Sequence, residues 1–191
     1  MDKYIVNTKN WVEKVVIGLN LCPFVKPVFA KNQLKFVLSE AKNPQELTED
    51  LVKELVFLSG IEGDDTETTV LIHPFILQDF GHYIDYLEFA NDVIYEMNLE
   101  GIFQIASFHP HYQFAGTNEN DITNFTNRSP YPTLHLIREA SIDRAVAAFP
   151  EAEAIFEVNM VTLNQLGLAG WKALEVGPTL PQNEPDEKNP S

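Results

Sequence analysis

Residues Ile102–Glu139 read IFQIASFHPHYQFAGTNENDITNFTNRSPYPTLHLIRE, and the way this stretch divides decides the fold. Its first seven residues are apolar and aromatic enough for a strand, Ile102–Phe108. His109 and Pro110 end it, because proline donates no ladder hydrogen bond. From His109 to Pro132 the chain is rich in Asn, Thr, Gly and Pro, the residues of turns. Compact domains rarely keep a loop longer than ~12–15 residues without a use for it. Pro132–Glu139 reads as a short helix opening near Thr133. On this division the sheet receives no strand after Phe108.

Outward from there, upstream segments supply two more strands. Thr68–His73 (TTVLIH) is continuously apolar at its centre, as strands buried on both faces are. Leu34–Leu38 (LKFVL) is shorter. Asn43-Pro44 opens a helix that places Leu47, Leu51, Leu55 and Leu58 on one stripe and closes at Gly60. The acidic loop GIEGDDTE follows. A longer helix, Gln78–Met97, buries Phe80, Ile84, Leu87 and Ile94. At the start, Trp11, Val12, Val15, Val16 and Leu19 recur at helical spacing from about Thr8, with Asn7 or Thr8 as N-cap. That helix stops near Asn20, ahead of Pro23, and the apolar, proline-punctuated connector NLCPFVKPVFAKNQ packs onto the body. Downstream come helices Ser141–Phe149 and Glu151–Leu166, the latter ending at Gly167, with Trp171 docking the last turn.

Strands separated by crossover helices are normally parallel. The expected fold is therefore α/β, a small three-stranded parallel sheet flanked by helices, with extra C-terminal helices. An antiparallel edge, or a ferredoxin-like α+β arrangement with one further strand, is the alternative. Residues 1–175 form a single globular domain on this reading, and residues 176–191 a disordered polar tail.

The chain has 191 residues, 45% of them hydrophobic, with 13 Phe, 6 Tyr and 2 Trp, enough for a substantial core. Its formal charge of −15 lacks the basic footprint of a nucleic-acid binder and disfavours anionic membranes. No apolar run reaches the ~18 residues of a membrane span, and the N-terminus lacks the pattern of a signal peptide. The single Cys22 forms no internal disulfide. A cytoplasmic location is the expectation.

Two strands end alike, VLIHP at His73 and ASFHP at His109. In open α/β sheets, ligands bind at the carboxyl ends of the strands. Parallel pairing places His73 and His109 on one such rim, with Ser39 and Glu40 from the first strand and the long loop arching above. Four chemistries suit these residues. His73, His109 and His111 are candidate metal ligands, with His135 or Glu139 in support, as in a metal-dependent hydrolase, although no HExxH or CxxC pair is present. Cys22 is a candidate nucleophile, or else a small buried hydrophobe just past a helix C-terminus, where the dipole raises its pKa. Arg128 offers a fork for a carboxylate or phosphate, or else pairs with Asp121 or Glu139 to pin the loop. Asn127, Tyr112, His111 and Tyr131 complete a candidate substrate pocket of aromatic and polar groups. Fingerprints for dinucleotides, P-loops and nucleophile elbows are missing. The reading that unites these residues is a small-molecule-binding protein or enzyme acting on an anionic substrate, with His109 as the acid–base group and His73 a further catalytic candidate beneath the 109–132 loop. The alternative from another class is a non-catalytic regulatory module that contacts a partner protein through that loop.

WVEKVVIGLNLCPF, TTVLIHP with LQDF, SFHPHYQFAGT and NRSPYPTLHLIRE together resemble a family of bacterial-type proteins, domain of unknown function 1415. The resemblance spans about Asn7 to Leu174. It implies one full-length domain and transfers no role to any residue.

Overall fold

A computed structural model describes residues 2–61, 65–148 and 154–176. β1 (Leu34–Leu38), β2 (Thr68–Ile72) and β3 (Phe103–Phe108) lie where the apolar pattern places them. A fourth strand, β4 (Thr133–Arg138), stands where the sequence suggests a short helix. Its side chains alternate: Leu134 and Leu136 are fully buried in one core, while His135 and Ile137 point to the other face. That period of two outweighs the Pro-Thr pair that resembles a helix start.

The sheet order is β1-β2-β4-β3, with β1 and β2 parallel and β4 antiparallel to both its neighbours. The α/β class holds, but the sheet is four-stranded and mixed rather than three-stranded and parallel. Because β4 opposes both β2 and β3, those two still run in the same direction. A ferredoxin-like sheet splits its β-α-β units with an inserted strand. Here β4 splits one such unit, and β1 and β2 stay side by side.

One face of the sheet is covered by α3 (Pro44–Ser59) and α4 (Phe80–Glu96). Asn43 caps α3 by accepting from the Glu46 amide at 3.0 Å, and Leu47, Leu51, Leu55 and Leu58 are fully buried as expected. Asp79 caps α4 by accepting from the His82 amide at 3.0 Å. The inward face of α4 is Tyr83, Tyr86, Ala90, Val93 and Ile94, and Ile84 is exposed. Tyr83, not Ile84, takes the buried position on this turn of the helix.

On the other face lies a second core built from α1 (Lys3–Trp11), its π-helical continuation Val12–Ile17, the connector and the C-terminal helix. Asp2 caps α1 by accepting from the Tyr4 amide at 2.9 Å, so the helix begins five residues before Thr8. It ends at Ile17, and Asn20 takes φ 54° in the turn beyond. The connector contains a short helix, α2 (Val25–Ala30). α5 (Glu139–Ala148) and α6 (Ile155–Ala173) close the fold. α6 breaks at Gly167, where φ 60° and ψ 174° suit glycine alone, and resumes so that Trp171 sets its ring edge-on to Phe125 at 4.8 Å. The expected helix ends at Phe149 and Glu151, the middle of the acidic loop and the tail from residue 177 lie outside the described residues. Among the described residues no helix is long and apolar enough to cross a membrane.

Candidate functional site

His73 and His109 stand just past the ends of β2 and β3, on one rim of the sheet. His73 N–H prolongs the β2–β4 ladder by donating to Pro132 O at 3.0 Å, and His109 N–H donates into the loop, to Asn127 O at 3.1 Å. Both side chains are fully buried. Tyr83 lies between them, its ring 5.9 Å from that of His73 and 5.0 Å from that of His109. Its hydroxyl donates to Thr133 O at 2.8 Å and accepts from Phe108 N–H at 3.0 Å, joining β3 to β4 where the ladder closes.

The hydrogen bonds fix the tautomer of His109. Nδ1 accepts from the His111 amide at 3.0 Å, so Nε2 carries the proton and donates to Leu77 O at 3.0 Å. Burial pushes its pKa down to about 4. Both nitrogens are thus committed to backbone. His73 donates from Nδ1 to Ile76 O at 3.4 Å, its Nε2 has no partner, and burial pushes its pKa down to about 3. The His111 ring lies 5.8 Å from that of His109, on the exposed side of the rim. Among the described residues no three His, Cys, Asp or Glu side chains converge as a metal site would require.

The remaining loop candidates hold the loop itself. Arg128 is buried and donates to two carbonyls, from Nε to Tyr112 O at 3.1 Å and from Nη2 to Glu119 O at 2.7 Å, while its guanidinium covers the Phe125 ring at 4.4 Å. Burial holds its pKa below the usual arginine value. Neither Asp121 nor Glu139 forms an ion pair with it. Asn127 donates to Ser107 O at 3.1 Å, Tyr131 accepts from Asn7 at 2.8 Å, and Tyr112 packs on Phe80 and Phe114. The residue that sequence reasoning overlooks is Asn124. Fully buried, it accepts from Phe114 N–H and the Thr117 hydroxyl and donates to Asn118 O. Nothing in its type or spacing separates it from the other asparagines of the loop.

A cavity of about 530 Å³ opens on the opposite face of the sheet, between the connector, the β2–β4 pair and α5. It brings together Cys22 and His135, and leaves out His73 and His109. Pro27, Val28, Ile137, Ile142 and Ala145 supply much of its wall. The Thr68 hydroxyl donates to Leu136 O at 2.5 Å, so it accepts from His135 Nε2 at 2.7 Å, and His135 Nδ1 keeps the free lone pair. Burial pushes the His135 pKa down to about 4. Cys22 precedes α2 as well as following the first helix. Burial raises its thiol pKa, and the amides of Phe24 and Val25 offset part of that rise. At the mouth, Glu67 accepts from Ser141 Oγ and from Arg144 Nη2, the latter at 2.8 Å, and Lys31 stands exposed. The sequence signal that could have located this cavity is the connector: apolar, twice interrupted by proline, and hence unable to pack as one regular helix.

A family model described as protein of unknown function (DUF1415) matches residues 3–173. No curated protein and no solved structure matches the chain.

Proposed function

The chain belongs to the DUF1415 family, and because membership assigns no chemistry, we propose from geometry alone that this protein binds a small, largely apolar molecule in the cavity between the connector and α5. The observation that carries the reading is the cavity itself. Its volume lies in the usual range for ligand sites, ~300–1,000 Å³, and its wall is mostly apolar with a few polar groups at fixed places. The small-molecule reading of the sequence is retained, and its place moves from the 109–132 loop to the far face of the sheet. Arg128 uses its donors on two loop carbonyls and His109 uses both ring nitrogens on backbone, so the loop acts as a brace.

Cys22 is the only cysteine in the chain and lines the cavity, so its labelling rate reports occupancy. An uncharged fragment library screened by ligand-observed NMR should give hits that slow alkylation of Cys22. Ala145→Trp, which puts an indole into the cavity from the half-buried face of α5, should abolish those hits with the thermal midpoint nearly unchanged. Hits that bind Ala145→Trp as well as the native protein, and leave Cys22 labelling unaltered, would overturn the proposal.

A further inference from the structure

Resting on that reading, we infer that the cavity selects a monoanionic organic acid, its apolar body against the wall and its carboxylate at the mouth between Lys31 and Arg144. The charge at the mouth runs against that of the molecule. Acidic residues outnumber basic ones 28 to 13 in the chain, yet among the described residues the charged groups lining this cavity are Lys31, Arg144 and a single acid, Glu67. The Glu67 carboxylate is already occupied, accepting from Ser141 Oγ and Arg144 Nη2. Lys31 has no carboxylate partner among the described residues, and Arg144, two-thirds exposed, pairs through one nitrogen of a five-donor fork. Among the described residues the mouth is left with one net positive charge and unused N–H donors, which suits one carboxylate. A cationic ligand would face two like charges there. Deeper in, His135 is neutral and Cys22 is a thiol held protonated by burial, so neither contributes charge to the body of the site.

Octanoate, octanol and octylamine share one apolar chain and differ only in the head, so their titration calorimetry against the full chain separates head from body. Octanoate should bind at least about tenfold more tightly than octanol, and octylamine should be weakest. Lys31→Ala and Arg144→Gln should each weaken octanoate about fivefold, the scale of a partly exposed charge-assisted contact, and leave octanol unchanged. Lys31 is exposed and has no carboxylate partner among the described residues, and the thermal midpoint of Lys31→Ala, expected to be unchanged, separates lost binding from lost folding. Octanol binding as tightly as octanoate, or octanoate affinity unmoved by both substitutions, overturns the head-group assignment. If Ala145→Trp then removes both ligands, the cavity reading survives that failure. Octanoate binding that persists in Ala145→Trp overturns both. Absence of binding by all three overturns the head-group assignment, and the uncharged fragments decide the cavity.

Discussion

The two ring nitrogens of His109 play opposite parts, one accepting from the His111 amide and the other donating to the carbonyl of Leu77. Leu77 is held at φ 58°, a left-handed conformation that costs a branched side chain about 1–2 kcal/mol. The histidine bond helps to hold it there. His109→Ala would leave the partly buried N–H of His111 and C=O of Leu77 without their partner and a void beside Tyr83 and Phe80. The expected loss is about 3–5 kcal/mol, measured by urea unfolding. Unchanged stability would mean that these bonds do not matter to the fold and would return His109 to the list of functional residues. The residue type alone could not reveal this role, since the partners that occupy the ring are backbone groups distant in sequence or set by a turn.

Among the elements, legibility followed periodicity. α3 was readable in full because Asn43, Pro44, four leucines at helical spacing and Gly60 all point to one helix. β4 was not, because its six residues follow Pro-Tyr-Pro and give alternation few positions in which to show. Its insertion between β2 and β3 turned an expected parallel sheet into a mixed one, yet left His73 and His109 on the same rim, since both strands still run the same way. The loop from His109 to Pro132 was recognisable by its length, while its fastenings were not, because Arg128 and Asn124 act through carbonyls and amides that the sequence does not display. Arg128→Lys tests that bracing. A lysine keeps the charge but cannot reach Tyr112 O and Glu119 O together with a planar fork. A loss of about 1.5–3 kcal/mol is expected, with faster amide exchange confined to the loop and the sheet amides unaffected. Uniform exchange rates across the loop in both proteins would show that Arg128 is not a fastening.

At the scale of the whole molecule, three histidines on two faces of one sheet share a property that none shows alone. His73, His109 and His135 are held neutral by burial, with pKa values of about 3, about 4 and about 4 against an ordinary value near 6.5. From about pH 7.5 upward these groups are neutral in both the folded and the unfolded chain, so they add almost no pH dependence. As pH falls from about 6.5 toward about 4, the unfolded chain takes up protons that the folded chain refuses, and stability falls with pH. Each histidine contributes a slope of up to about 1.4 kcal/mol per pH unit, so the three together reach roughly 4. Carboxylates with ordinary values near 4 are still ionised through most of this window, which leaves the histidines as the main source of proton uptake between pH 6.5 and 5. Urea midpoints measured at pH 8.5, 7.5 and 5.5 should therefore be level between the first two and drop steeply to the third. A midpoint that stays level down to pH 5.5 would mean that these histidines protonate inside the fold, with water reaching the rim beside Tyr83 and the wall that His135 lends to the cavity.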